Sequence, residues 1–167
     1  MQEIFQRISV RKFTEQKITK EQIQQILKAA MQAPSAYNQQ PWEFLVIEDK
    51  SVLQKFTEIH PYAKSLLSGA AVGIFVLCAK DRLQLPEMAA QDLSAATQNI
   101  LLEAVHLGLG GVWLGVNGHP ERAAAAQKLF NLPDNIEVFA AIAVGYPAEN
   151  RKAQSRYEEN RVHYEKY

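Results

Sequence analysis

Apolar and polar residues alternate along this chain with periods that predict a series of helices and strands. Ile23, Ile26 and Ala30 recur at the spacing of one helical face. The four residues 19–22 just before them, Thr-Lys-Glu-Gln, are typical of a helix-capping box. A helix is therefore predicted here, and we expect it to stop at Pro34 because proline cannot continue the backbone hydrogen bonding.

The remaining apolar runs predict further strands and helices. The predicted strands cover residues 42–48, 71–79, 111–116 and 136–144, and the predicted helices cover residues 52–59, 86–107 and 120–130. Helices and strands follow one another along the chain, and no repeat and no linker rich in glycine, proline or serine divides it. We therefore expect a single domain over residues 1–167.

The last part of the chain has a different character. Residues 146–167 are polar and charged without being of low complexity, and such a tail needs another surface to lie on. The apolar stripe of the 86–107 helix is also broad, as in a central helix that is covered on several sides. Both features favour a partner subunit that supplies the missing cover.

Composition and charge exclude several classes of protein. Lysine plus arginine and aspartate plus glutamate number 18 each, so the formal net charge is +0 and the pI is about 6.9. Such a chain has no basic field to hold nucleic acid. It also lacks an apolar stretch long enough to span a bilayer and a start typical of a signal peptide. We expect neither nucleic acid nor membrane as a partner, and a cytoplasmic location.

Cysteine and histidine chemistry is equally limited. The single cysteine, Cys78, lies in an apolar run that predicts a buried strand. An intramolecular disulfide is therefore excluded, and a core-packing role is expected. The four histidines, His60, His106, His119 and His163, lack metal-ligand spacing and suggest no catalytic triad. No metal site is predicted.

The first candidate for binding chemistry is the segment 7–11, Arg-Ile-Ser-Val-Arg. Alternate side chains of an extended segment share a face, so Arg7, Ser9 and Arg11 would point one way. Ile8 and Val10 would then point into the core. Two guanidiniums and a hydroxyl supply charge-assisted donors that suit a phosphate. The alternative, for this motif taken alone, is a solvated arginine pair beside a first helix.

The second candidate is the polar segment 34–42, where Ser35, Asn38 and Gln40 follow a helix and precede a strand. A plain polar loop is the alternative. Asp92, on the long helix, is expected to be a structural hydrogen-bond acceptor or exposed, without a catalytic role.

Glycines supply one further candidate. Gly108 is expected to end the long helix, because the run 108–111 follows a helix and lacks the third glycine of a dinucleotide-binding fingerprint. Gly115, within a predicted strand, instead indicates close approach of the backbone to something flat. A ligand would satisfy that description.

Taken in order, these motifs resemble those of the nitroreductase family of flavin enzymes. The first is Arg-x-Ser-x-Arg-x-Phe at residues 7–13, and the second is Ala-Pro-Ser-x-x-Asn-x-Gln-Pro-Trp at residues 33–42. The resemblance continues at residues 98–104, 108–110, 113–115 and 145–147, and in a basic tail that contains Arg156. It covers essentially the whole chain, and the order and spacing of the motifs make it specific.

The resemblance implies an α+β fold with a central mixed or antiparallel sheet flanked by helices. It also implies an obligate homodimer that binds FMN between its subunits, with each C-terminal tail embracing the partner. The positions that would contact FMN come from the first motif, from the second motif of the partner and from later in the chain. They are Arg7, Ile8, Ser9 and Arg11; Pro34, Ser35, Ala36, Asn38 and Gln40; and Leu114, Gly115 and Arg156.

Roles follow from the same resemblance. Arg7, Ser9 and Arg11 would hold the FMN phosphate and ribityl chain, and Arg156 would close on the phosphate. Leu114 and Gly115 match the place where a backbone amide approaches the flavin N5. No side chain need be catalytic, because the flavin carries the redox chemistry.

The resemblance further implies an FMN-dependent oxidoreductase that uses NADH or NADPH as electron donor. Nitroaromatics, quinones or related small acceptors would be reduced by ping-pong hydride transfer through flavin N5, with Tyr37 in the wall of the substrate pocket. Three alternatives stay open. One is a flavin-binding or storage protein without turnover, and another is a family variant with dehalogenase, ene-reductase or flavin-fragmenting chemistry. The third is a phosphate-binding or interaction domain with no flavin.

Overall fold

The structure is a computed structural model that describes residues 2–60, 62–67, 69–149 and 152–167. Helices and strands alternate along it, joined by short 3-10 turns. The helices are α1 (Glu3–Gln6), α2 (Lys20–Met31), α3 (Lys50–Ile59), α4 (Lys64–Leu67), α5 (Ala89–His106) and α6 (Pro120–Phe130). The strands are β1 (Trp42–Ile47), β2 (Val72–Ala79), β3 (Gly110–Gly115) and β4 (Ile136–Gly145).

The four strands form one sheet in the order β1-β2-β4-β3, and every pair is antiparallel. Helices cover both faces of this sheet, so its two central strands have no solvent side. Since side chains alternate across a strand, Ile74 and Ile142 pack on the face of α2 and α5, while Phe75 and Ala141 pack on the face of α3 and α6. This explains why β2 and β4 are almost continuously apolar.

The predicted elements are confirmed, with small shifts at their ends. The segment predicted as a helix over residues 86–107 begins as a separate 3-10 turn, Pro86–Met88, and becomes α-helical at Ala89. The sequence does not predict the two four-residue helices, α1 and α4, because a single turn is too short to show a hydrophobic period.

Local chemistry fixes two of the helix ends as the sequence predicts. Thr19 Oγ1 accepts a hydrogen bond from Gln22 N at 3.2 Å, and Gln22 Oε1 accepts one from Thr19 N at 2.9 Å. This is the capping box of α2. At the end of α5, Gly108 has φ +72°, and Leu109 N donates to Ala104 O at 2.8 Å. A left-handed glycine followed by this backbone bond is the Schellman ending.

The described residues of the tail, 152–167, are all exposed and contain one 3-10 turn, Glu159–Arg161. Residues 150 and 151, which belong to the predicted tail, lie outside the described residues. Large side chains of the tail, including Tyr157 and Tyr164, contact water rather than a core. Among the described residues, no helix is both long and apolar enough to cross a bilayer.

Candidate functional site

The predicted phosphate-binding residues come together in the fold. Ser9 forms a parallel bridge with Gly111 at the edge of the sheet, and the buried Val10 donates from its amide to the Gly111 carbonyl at 3.0 Å. This bridge and hydrogen bond tie the segment to the start of β3. The tail returns across it and brings Arg156 to the same place.

Two adjoining cavities, of about 190 and 500 Å³, lie between the first motif and the tail. Ser9 and Arg11 line the smaller one, Arg7 lines the larger one, and Arg156 lines both. The expectation that Ile8 points into the core is wrong, because its side chain is only partly buried and lines both cavities. The two cavities share it as a wall.

Most side-chain donors of the arginines around these cavities have no hydrogen-bond partner within the described residues. Within the described residues, Arg7 and Arg156 make no side-chain hydrogen bond and no ion pair. Arg11 donates from Nη1 to the Ser9 carbonyl at 3.3 Å, which leaves most of its guanidinium available. Guanidiniums are fixed cations with several donors and no acceptor, so the arrangement suits an anion with many oxygens.

The end of β3 is the second part of the site. Leu114 is buried, whereas Gly115, the last residue of the strand, is exposed. A Cβ built on Gly115 would meet no heavy atom within 4 Å. The protein itself therefore does not require glycine here, and the open space next to this backbone remains free for a ligand.

His60, which the sequence did not single out as part of the site, contacts the backbone at this strand end. Its ring is buried, and Nε2 lies 3.0 Å from the carbonyl oxygen of Gly115. Because a carbonyl only accepts, Nε2 carries the hydrogen, and the buried Nδ1 has no partner in the described structure. Burial lowers the pKa of His60, and the nearby Arg122 and His119 add to this effect. The neutral ring is therefore favoured.

The polar segment 34–40 forms a compact loop. Ser35 Oγ accepts a hydrogen bond from Gln40 N at 3.1 Å, and Asn38 Oδ1 accepts one from Gln40 Nε2 at 2.9 Å. Tyr37, at the tip, is 77% exposed. The loop lines neither of the arginine-bearing cavities. In one chain, the second motif is therefore separate from the first.

Asp92 plays the structural part predicted for it. It lies in the first turn of α5, is buried, and accepts a hydrogen bond from Ala36 N at 2.9 Å. The carboxylate thereby ties the loop to the long helix.

The side chain of Cys78 is less buried than its predicted place in the core implies. Its side chain is half-buried and lines a separate cavity of about 230 Å³ together with Leu93 and Phe139. The sulfur escapes full burial because it lies near the end of β2, where the sheet gives way to a 3-10 turn. Burial raises the pKa of the Cys78 thiol, and Glu137 adds to the shift. A protonated thiol is a poor nucleophile.

Fold and site together define an α+β protein with arginine-lined, anion-suited cavities at the start of β3 and an open backbone at the other end of that strand. The sequence model of the nitroreductase family matches residues 4–65 and 54–146. A curated relative from Archaeoglobus fulgidus, named "Putative NADH dehydrogenase/NAD(P)H nitroreductase", is 43% identical over 169 residues. The match covers 98% of this chain and 96% of that relative.

Two solved structures share the fold. A crystal structure titled "Putative NADH Oxidase", from Clostridium acetobutylicum, matches with a TM-score of 0.95 and 44% identity and covers 99% of both chains. The structure of "a putative nitroreductase in complex with fmn" from Desulfovibrio desulfuricans matches with a TM-score of 0.84 and 33% identity. It covers 99% of this chain and 96% of that one. The chain belongs to the nitroreductase family.

Proposed function

We propose that this protein is an FMN-dependent NAD(P)H oxidoreductase that reduces nitroaromatics, quinones or related small acceptors. The observation that carries the proposal is the convergence of Arg7, Ser9, Arg11 and Arg156 on adjoining cavities by the start of β3. The other end of the same strand, at Gly115, is open. The names of the relatives agree with this class of enzyme, and one solved relative is an FMN complex. Residues 1–167 would act as one FMN-binding domain.

The donor set fits the phosphate end of FMN. A phosphate monoester carries between one and two negative charges and offers three oxygens at neutral pH. Arg7 and Arg156 have no competing acidic partner among the described residues, so their charge remains available for these oxygens. Ser9 adds a hydroxyl, and Arg11 adds a further guanidinium at the same cavity. These residues would bind and orient the cofactor.

The flavin ring would lie against the exposed backbone at Leu114 and Gly115. Bound FMN supplies the hydride acceptance and donation at its N5. The glycine keeps the ring face uncovered, since no side chain occupies that space. His60 fixes the carbonyl of Gly115 and with it the direction of the strand end. The chain need supply no proton donor or nucleophile of its own for this role.

A homodimer would complete the site. Pro34, Ser35, Ala36, Asn38 and Gln40 line none of the arginine-bearing cavities of their own chain, so they would reach the flavin of a second copy. Tyr37, exposed at the loop tip, would then form part of the substrate pocket.

Exposed apolar side chains support the same assembly. Ile4 and Phe5 on α1 are 50% and 79% exposed, and Tyr157 of the tail is 71% exposed. Burying such side chains against a second copy would be favourable, because apolar area removed from water contributes roughly 25 cal/mol per Å².

We place the dimer in the cytoplasm.

Anaerobic absorbance spectroscopy tests the proposal. The protein is reconstituted with FMN, its visible spectrum is recorded, and NADH or NADPH is added in separate experiments. We expect the oxidised flavin bands to bleach with at least one nicotinamide and to return when a quinone or nitroaromatic is added. Bands that persist would indicate flavin binding without turnover. A protein that does not retain FMN would refute the assignment of the site.

A further inference from the structure

The loop that carries the second motif has an unusual backbone. Tyr37, Asn38 and Gln40 have φ values of 50°, 55° and 45°. This left-handed region is sparsely populated by residues other than glycine, although asparagine tolerates it better than most. Three such residues in a stretch of four do not hold their conformation by themselves. Neighbouring structure must determine it.

A buried carboxylate supplies that support. Asp92 is only 4% exposed and stands in the first turn of α5. Its Oδ1 accepts from Ala36 N at 2.9 Å, and its Oδ2 accepts from Gln39 Nε2 at 2.6 Å. The two donors flank Tyr37 and Asn38, so Asp92 holds this pair of left-handed residues from both sides, and Gln40 follows directly after the second donor.

Gln39 extends the network to a second loop. Its side-chain oxygen accepts from Gln84 N at 2.9 Å and from Leu85 N at 3.0 Å, and its Nε2 also lies 3.3 Å from Leu85 O. Gln39 is 5% exposed. The amide therefore has one orientation, with its oxygen toward two backbone donors and its nitrogen toward Asp92.

The network fixes positions rather than merely filling space. Every polar side-chain atom in it faces a group of opposite character, and a buried polar group without a partner is costly. Changing either side chain alone would pair two donors or two acceptors. The loop would then lose the anchors that hold its left-handed residues.

We infer that Asp92 and Gln39 are positioning residues that set the conformation of the 35–40 loop for contact with the flavin of a second copy. The inference rests on the proposed function, because that function gives Ser35, Asn38 and Gln40 a flavin to contact. Neither Asp92 nor Gln39 lines the arginine-bearing cavities, so both act through the loop.

An exchange of the two polar groups tests this inference. Asp92→Asn directs an amide donor toward Gln39 Nε2, and Gln39→Glu directs a second carboxylate toward Asp92. Together, the two changes restore the pairing, since the new carboxylate at position 39 would accept from the backbone of residues 84 and 85 and from the new amide at position 92. At Leu85 O, 3.3 Å away, the new carboxylate oxygen would face another acceptor, so this one contact would not be restored.

FMN affinity, measured by quenching of flavin fluorescence, is the readout. We expect each single variant to weaken FMN binding at least about tenfold and the double variant to recover to within about fivefold of wild type, because charge-complementary partners in one network are coupled. The visible spectrum of bound flavin should shift in the single variants and return in the double variant.

Thr97→Val is the matched control. Thr97 is fully buried on the same helix and donates from Oγ1 to Leu93 O at 2.7 Å, away from the loop. Its substitution should lower the unfolding midpoint while FMN affinity stays at the wild-type value. If Asp92→Asn fails to fold, Gln39→Met, which removes the amide at similar volume, provides the second comparison and should weaken FMN binding by a similar factor.

The possible failures are distinguishable. Wild-type protein that does not bind FMN overturns the proposed function and the inference with it. Wild-type protein that binds FMN, together with Asp92→Asn or Gln39→Met variants that bind it equally well, overturns the inference alone. Single variants that weaken binding without recovery in the double variant also overturn it, because pairing between the two side chains would not be the cause.

Discussion

Replacement of Gly115 by alanine separates the folding of this protein from its binding of flavin. The added methyl group would meet no heavy atom of the chain within 4 Å. The glycine does not occupy the left-handed region, so alanine should fit its backbone. Where that holds, alanine stabilises a fold by about 0.4–1 kcal/mol, chiefly by restricting the unfolded chain. The cofactor-free variant should therefore be at least as stable as the wild type.

Flavin binding should respond in the opposite direction. If the ring lies against the backbone at residues 114 and 115, the methyl group enters space that the ring needs. Overpacking of this kind costs about 1–3 kcal/mol, which corresponds to a Kd about 5- to 150-fold higher. Fluorescence titration with FMN measures the affinity, and thermal unfolding of the cofactor-free protein measures the stability.

Gly69→Ala is the control for this experiment. A Cβ on Gly69 also meets nothing within 4 Å, but this residue lies in the loop before β2 and lines neither arginine-bearing cavity. The Gly69→Ala variant should bind FMN with the same affinity as the wild type. Unchanged affinity in Gly115→Ala would refute the placement of the flavin ring at the end of β3.

Three further outcomes are expected. Arg7→Ala should weaken FMN binding by about 1.5–3 kcal/mol, because a charged hydrogen bond to the phosphate is lost. The control, Arg82→Ala, removes only an exposed ion pair with Glu43 and should leave FMN affinity unchanged. Equal effects of the two substitutions would contradict the phosphate site. Burial lowers the pKa of His60, so the unfolded chain takes up its proton more readily than the folded one. Stability should thus fall as the pH drops below the ordinary histidine value of 6.5, and urea titrations should show a smaller loss in His60→Gln. Sedimentation of the FMN-bound protein should show a dimer that persists on dilution, and a monomer with tight FMN binding would disprove the shared site.

Much of the fold is predictable from the sequence because its signals are local. The capping box at residues 19–22 and the glycine at 108 each mark a helix end through bonds that span a few residues. The hydrophobic pattern predicts the start of α3 too late, at Val52. Asp49 Oδ1 accepts from Ser51 N at 2.7 Å, and this cap begins the helix at Lys50. Helix ends depend on such single contacts more than on hydrophobic period.

The candidate site is only partly predictable for a physical reason. The first motif is local, and it predicts that Arg7, Ser9 and Arg11 lie together, and their shared lining of two adjoining cavities agrees with this. Their contact with a cofactor stays a prediction. The residues that hold these motifs in place are distant in sequence. His60 meets Gly115 across 55 positions, and no local pattern predicts that contact.

The left-handed backbone of the 35–40 loop is the other feature that the sequence conceals. Left-handed conformations are usually signalled by glycine, and residues 34–42 contain none. The conformation depends instead on Asp92, which lies more than fifty positions away and bonds to the loop from α5. Only the folded chain reveals why this loop has its shape.

The central claim is that the arginine-lined cavities bind the phosphate of FMN, and a comparison of FMN with riboflavin tests it most directly. The two ligands differ only in that phosphate. Two charged hydrogen bonds of about 1.5 kcal/mol each give about a 150-fold difference in Kd. We therefore expect FMN to bind at least about 100-fold more tightly than riboflavin at low salt. Equal affinities for the two flavins would contradict the account.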